Sequence, residues 1–244
     1  GAVLLMITGD IIPERPTQFH IEITSQCNLA CGFCPVHRVE RGAPLSREEI
    51  MDLIRQMVLL DPEYVDFVNY NEPLMSKDFW DYADFLTDQI GYGRLGMVTN
   101  GTIMSVDIAN RILNLHPKQV IFSVDAFTAE TYAKVRPRWT SHGPVEDMKL
   151  RDRIYANVDI YLDCVGKSGF ESWPVMEMVV CEHNAHEVDM TRAYWLSRLH
   201  NQFLVINCTG RGGERAFTLP NDNPCRVILD GLWILSDGRV VACC

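Results

Sequence analysis

Apolar and polar positions along this chain change their period repeatedly, and the changes alternate. "FHIEIT" (19–24) alternates with a period of two and reads as a strand. "SREEIMDLIRQMVLL" (46–60) instead puts Ile50, Leu53, Ile54 and Met57 on one helical stripe, behind a capping box of Ser46 and Glu49. The exchange then repeats, with strands over "YVDFVNY", "RLGMVTN", "QVIFSVDAF", "PVMEMVV" and "FLVINC". Helices fall between them, over "SKDFWDYADFLTDQI", "SVDIANRILNL", "TAETYAKV", "DMKLRDRIYANVDIYLDCV" and "EVDMTRAYWLSRL". Six strands interleaved with helices predict an α/β fold with a parallel sheet. Six units are too few for the usual eight-stranded closure, so the expectation is a partial (β/α)6 barrel whose ligands bind at the carboxyl ends of the strands.

The texture changes after residue 210. "GRGGERAFTLPNDNPC" reads as a linker or loop, and "GLWILSDGRVVACC" reads as a β-hairpin turning at Asp237 and Gly238. The expected organisation is therefore an N-terminal segment (1–16), a barrel (17–210) and the start of a small second unit (211–244). A chain that stops on Cys243 and Cys244, two metal-grade thiols, reads as one cut short.

Composition narrows the function classes. The chain has 244 residues, 47% apolar and 22% charged, which is ordinary globular composition. A formal charge of −10 and the lack of any Lys/Arg run argue against nucleic acid and anionic lipid as partners. No apolar run is long enough to span a membrane, and the opening segment lacks the basic start and cleavage site of a signal peptide, so a cytoplasmic protein is expected. The nine cysteines are odd in number and clustered, which suits reduced thiols serving a metal better than a disulfide framework.

The cluster that matters is "EITSQCNLACGFCPV", where Cys27, Cys31 and Cys34 follow the first strand directly. Thiolates spaced by two or three residues can wrap one iron–sulfur cluster. Zinc usually takes four ligands, commonly from two separated pairs. Three thiolates leave one iron of a four-iron cube without a protein ligand, which is where a small molecule can chelate. A zinc site and a chance grouping are the alternatives.

C-x3-C-x2-C with the aromatic Phe33 before its last Cys, just after a first strand, resembles the radical SAM superfamily. The resemblance implies a [4Fe-4S] cluster whose open iron binds S-adenosylmethionine (SAM). It also implies reductive cleavage of SAM to a 5′-deoxyadenosyl radical that abstracts a substrate hydrogen. "NYNEPL" is similar to the family's GGEP motif, so Glu72 and the backbone at Tyr70 and Asn71 would hold the SAM amino group, with Tyr70 and Asn71 standing where the family has two glycines. "VTNGT" is similar to a segment whose Asn, here Asn100, lies near SAM. "FSVDAF" resembles a strand that supplies Ser123 and Asp125, and Arg136 in "TYAKVRP" is placed like an Arg that grips the SAM carboxylate.

Glu22, Asn69, Glu177 and Asn207 lie out of phase with their apolar strand neighbours and are candidates for substrate contact or for structural hydrogen bonds. Cys164, Cys181 and Cys208 read as buried thiols. Epimerases of the family return a hydrogen atom from a thiol, and Cys208, at a strand end, is the candidate for that role. Cys225 and Cys243 flank the predicted hairpin, which resembles the start of a SPASM or twitch extension, so the resemblance makes them ligands of an auxiliary iron–sulfur cluster, expected to be [4Fe-4S].

The resulting expectation is a radical SAM oxidoreductase, a dehydrogenase or epimerase of a small carbohydrate or aminocyclitol, served by a flavodoxin- or ferredoxin-type electron donor. Its alternative is a maturase of a ribosomally made peptide or protein. A non-catalytic iron–sulfur electron carrier and a zinc-binding interaction module are the readings from other classes.

Overall fold

The computed structural model describes residues 6–7, 10–11, 15–38, 40–169, 174–199, 202–208 and 231–241. Cys225, Cys243 and Cys244 lie outside these residues, and with them the expected ligands of a second cluster. A short antiparallel pair, β1 (Met6–Ile7) and β2 (Asp10–Ile11), precedes the alternating part of the chain. That part runs β3 (Gln18–Ile21), α1 (Arg47–Leu59), β4 (Tyr64–Phe67), α2 (Phe79–Ile90), β5 (Leu95–Thr99), α3 (Val106–Asn114), β6 (Gln119–Ser123) and α4 (Ala129–Val135). It continues through β7 (Arg138–Thr140), β8 (Gly143–Val145), α5 (Leu150–Ser168), β9 (Val175–Val180), α6 (Val188–Leu196) and β10 (Phe203–Asn207). The hairpin of β11 (Gly231–Ile234) and β12 (Val240–Val241) follows.

One sheet holds eight of these strands in the order β10-β9-β6-β5-β4-β3-β11-β12. Every neighbouring pair from β10 to β11 is parallel, and β11–β12 is antiparallel. The six strands and six helices expected from periodicity are all present, and the strands follow one another across the sheet in chain order. The structure adds two features. β7 and β8 form a hairpin inserted between α4 and α5. The final hairpin also joins the main sheet, since β11 pairs in parallel with β3 at Gly231–Gln18 through Ile234–Ile21.

Helix starts are set locally. Ser46 accepts from the Glu49 amide while Glu49 reaches back to the Ser46 amide, the reciprocal box read from the sequence. Ser105 and Thr128 cap α3 and α4 by one-way bonds, their hydroxyl oxygens accepting from the Ile108 and Thr131 amides.

Strand alternation then separates two faces. Phe19, Ile21, Val65, Phe67 and Phe122 are buried with Ile50 and Ile54 of α1, Tyr82 and Leu86 of α2, and Ile112 of α3. Fully burying each such side chain is worth about 1.5–3 kcal/mol. The intervening residues take the other face, and Asp66, Val68, Val98, Ile121, Ser123, Glu177, Val179 and Trp233 line one cavity of about 350 Å³ there. Gly96 is required on this face, because a Cβ at that position would meet the Tyr64 hydroxyl at 1.8 Å. Among the described residues no helix is long and apolar enough to cross a membrane.

Candidate active site

The cysteine loop leaves β3 and is held from both sides. On one side the segment after α4 straps it: Ala30 N donates to Pro137 O at 2.8 Å, Gly32 N to Val135 O at 3.1 Å, and Trp139 N to Asn28 O at 2.9 Å. The Trp139 ring stacks on His37 with centroids 3.8 Å apart, and His37 Nε2 lies 2.9 Å from Leu29 O. Arg38 donates to the carbonyls of Gly32 at 2.6 Å and Cys34 at 3.0 Å, which closes the loop behind its last thiol. On the other side, Glu72 N donates to Gln26 O at 2.8 Å, and Asn100 Nδ2 donates to Asn28 Oδ1 at 2.8 Å.

Cys27, Cys31 and Cys34 all line the cavity, and Phe33 lines it with them. Burial pushes each thiol up, Cys34 to about 12; the neighbouring thiols and Glu72 push Cys27 further, whereas Arg136 opposes the shift at Cys31. Thiolates in such a place need a bound cation to offset the loss of water. Among the described residues no three His, Cys, Asp or Glu side chains converge closely enough to hold a single metal ion. Three thiols from one loop that line one cavity are a donor set of the kind that holds an iron–sulfur cluster.

The remaining expected residues gather on the same wall. Glu72, 1% exposed, follows β4, and its Oε1 accepts from Thr99 Oγ1 at 2.8 Å and Leu74 N at 3.3 Å, while its Oε2 accepts from Asn100 N at 2.7 Å. Burial raises this carboxyl to about 7 against the pull of those donors. Asn100 follows β5 with its Nδ2 3.8 Å from Cys27 Sγ, so it touches the cysteine loop directly. Tyr70 and Asn71 line the cavity, and the Tyr70 carbonyl accepts from Arg41 Nη2 at 3.0 Å. The left-handed backbone at this turn falls on Asn69, with φ 100°, and not on Tyr70 or Asn71. Asn is among the few non-glycine residues enriched at positive φ.

Ser123, the last residue of β6, and Asp125, two residues beyond it, both reach the cavity. Asp125 is fully buried: Oδ1 accepts from Val179 N at 2.6 Å, and Oδ2 lies 2.9 Å from Arg136 Nη1. Arg136 also donates to Ser123 O at 2.6 Å. Its charge is thus shared between Asp125 and the Cys31 thiol, a link that a motif reading does not reveal.

Of the out-of-phase strand residues, Asn69, Glu177 and Asn207 line the cavity and Glu22 does not. Glu22 is fully engaged elsewhere, accepting from Arg41 at 2.6 Å, Tyr70 N at 2.8 Å and Ser236 N at 2.9 Å. Cys208 lines the cavity from the end of β10, 2% exposed, whereas Cys164 and Cys181 are buried in the core. Asp66 and Trp233 are cavity residues that the sequence reading passed over. Asp66 carried the same out-of-phase signal between Val65 and Phe67; Trp233 carried none, because it arrives through the pairing of β11 with β3.

Comparison with known proteins bears on what this cavity serves. Residues 21–156, more than half of the chain and including all three loop cysteines, match the model of the radical SAM superfamily. The chain is 25% identical over 151 residues to a GTP 3',8-cyclase of Synechocystis, covering 59% of this chain and 44% of that protein. It is 29% identical over 125 residues to the mycofactocin maturase MftC of Mycobacterium tuberculosis, covering 50% of this chain and 31% of the relative. The chain thus spans less than half the length of these curated relatives. Among solved structures, Streptococcus suis SuiB bound to precursor peptide SuiA superposes with a TM-score of 0.64 at 12% identity, covering 95% of this chain and 60% of that one. BtrN in complex with AdoMet and 2-DOIA gives 0.52 at 15% identity, covering 94% and 74%. Similarity at these identities concerns the fold alone. On the family match, the chain belongs to the radical SAM superfamily.

Proposed function

We propose that this chain is the catalytic core of a radical SAM enzyme whose cluster is held by Cys27, Cys31 and Cys34. One observation carries the reading: three loop thiols line a single cavity with Glu72, Asn100, Ser123 and Arg136. When bound, a [4Fe-4S] cluster supplies the electron that cleaves SAM to a 5′-deoxyadenosyl radical. The chain's own residues hold and screen that chemistry. The Arg38 and Asn100 contacts fix the loop, Arg136 places a cation beside Cys31, and Glu72 with the backbone at Tyr70 and Asn71 receives the SAM amino group. A flavodoxin- or ferredoxin-type donor would supply the electron.

The substrate reading that has most support is a peptide side chain, so the chain is a peptide maturase in this proposal. The mycofactocin relatives are named as maturases, and SuiB is bound to a precursor peptide. β10 also ends at the cavity and leaves Leu204 and Ile206 46% and 40% exposed, an apolar border open to an extended substrate. The small carbohydrate or aminocyclitol expected from the sequence is the second reading, favoured by the likeness to BtrN over nearly the whole chain. Residues 211–244 would open a SPASM- or twitch-type unit, with Cys225 and Cys243 as auxiliary-cluster ligands and Cys208 available as a hydrogen-atom donor.

The test is anaerobic reconstitution with iron and sulfide, then strong reductant and SAM. The expected result is brown protein that forms 5′-deoxyadenosine, and Cys31→Ala that forms none. Retained 5′-deoxyadenosine in that variant would remove the site assignment. Deuterium passed from a labelled peptide or sugar into 5′-deoxyadenosine then decides between the two substrate classes.

A further inference from the structure

Among the described residues, the cavity is lined by four carboxyl side chains, Asp66, Glu72, Asp125 and Glu177, and one cationic one, Arg136. Asp125 is matched by Arg136, but Asp66 and Glu177 enter the same space from β4 and β9. Asp66 is 5% exposed, and its Oδ1 has no hydrogen-bond partner among the described residues. His20 Nδ1 approaches its Oδ2 at 3.6 Å, beyond hydrogen-bond range, and the Tyr64 phenol interacts with the same carboxyl. Glu177 lines the same cavity from β9, where burial and the charges of Asp125 and Asp66 oppose its ionisation. A second, uncharged group points to a ligand independently: Trp233 is 5% exposed, lines the same cavity, and its Nε1–H has no partner among the described residues. The side-chain amides of Asn69 and Asn71 stand in the same condition on the adjoining wall. Buried polar groups are left this way at a cost, which a ligand with matching groups removes.

We propose that Asp66 and Glu177 form the substrate-recognition subsite and take a cationic nitrogen of the substrate, an alkylammonium or guanidinium group. Trp233 Nε1–H and the amides of Asn69 and Asn71 pair with its neighbouring oxygens. Two carboxylates lining one cavity repel each other and favour whatever brings positive charge between them. A neutral or acidic substrate would leave the buried Asp66 Oδ1 without compensation. The subsite rests on the reading that this cavity receives the substrate, and it applies to a lysine or arginine side chain as to a free amine.

The experiment uses holoenzyme reconstituted without oxygen and saturated with SAM. Calorimetry compares two pairs of probes that differ by one charge: acetyl-Gly-Lys-Gly-amide against its norleucine counterpart, and cyclohexylammonium against cyclohexanol. The charged member of at least one pair is expected to bind roughly tenfold more tightly, and the pair that shows the preference identifies a peptide or a free amine as the source. Asp66→Asn and Glu177→Gln are each expected to cut that preference about fivefold. Because the two residues lie on different strands, either variant carries the test if the other fails to fold. Equal binding within both pairs, or a preference unchanged in the variants, overturns the proposal. So does a loss of SAM affinity in the variants with the preference intact, which would assign the carboxylates to the sulfonium. The 5′-deoxyadenosine assay separates the two claims: charge preference without SAM cleavage supports this subsite and removes the radical chemistry.

Discussion

Glu177 has its ionisation opposed first by burial and then by the charges of Asp125 and Asp66, with Arg136 pulling the other way, and its carboxyl rises from 4.5 to about 7. The sign of the consequence follows from proton counting. Between those two values the folded chain holds a proton that the unfolded chain has lost, so stability falls as pH rises through this window. The penalty is absent below pH ~4.5 and complete above pH ~7, and a shift of this kind is worth no more than about 3 kcal/mol. Glu72 titrates in the same range, so the wild-type curve alone mixes the two groups. The difference between wild type and Glu177→Gln isolates one of them. Urea denaturation of the cluster-free chain is expected to give near-equal stability at pH 4.5 and a more stable variant at pH 8. A gap that does not widen with pH would mean that Glu177 is solvated or paired in solution.

At the scale of elements, periodicity made most of the fold readable and long-range pairing did not. α1 was legible because Ser46, Glu49 and the Ile50–Ile54–Met57 stripe are local signals, and the same box sets a prediction. Ser46→Ala is expected to lower stability by about 1 kcal/mol with no change in cavity chemistry, seen as an earlier denaturation midpoint at unchanged slope. The place of β11 was not legible, because its partner β3 lies more than two hundred residues earlier and the hairpin pattern describes only β11 with β12. That pairing also explains why Trp233 carried no cavity signal and why Glu22 takes the structural of its two expected roles: alternation tells which residues share a face, not which structure later covers it. Glu22 joins β3, the Arg41 loop and the Ser236 turn at once, with its side chain fully buried. Glu22→Ala leaves the Arg41 guanidinium without its carboxylate, and the expected loss is about 3 kcal/mol or more. Faster amide exchange in residues 231–241 than in β5 would trace that loss to the hairpin. Uniform destabilisation would mean that the hairpin is held by β-pairing alone.

At the scale of the whole molecule, one sheet joins the strand that leads into the cysteine loop to the hairpin that precedes Cys243 in the sequence. β3 leads directly into Cys27, and β11, hydrogen-bonded beside β3, leads through β12 toward Cys243. Because Trp233 on β11 lines the cavity, anything that disturbs this hairpin also disturbs the wall proposed to receive the substrate. An auxiliary cluster with Cys243 among its ligands would therefore brace the cavity as well as accept an electron from it. This coupling separates two effects of Cys243→Ala that simple loss of a thiol would not separate. Iron per chain after reconstitution is expected to fall by up to about one four-iron cube, since the cluster loop has its own anchors in Arg38 and Asn100. The first cluster should persist, and with it 5′-deoxyadenosine formation from SAM, while turnover of substrate drops because the wall carrying Trp233 is loosened. Unchanged iron content would remove the second cluster, and loss of all iron would mean that the two cysteine groups serve a single site.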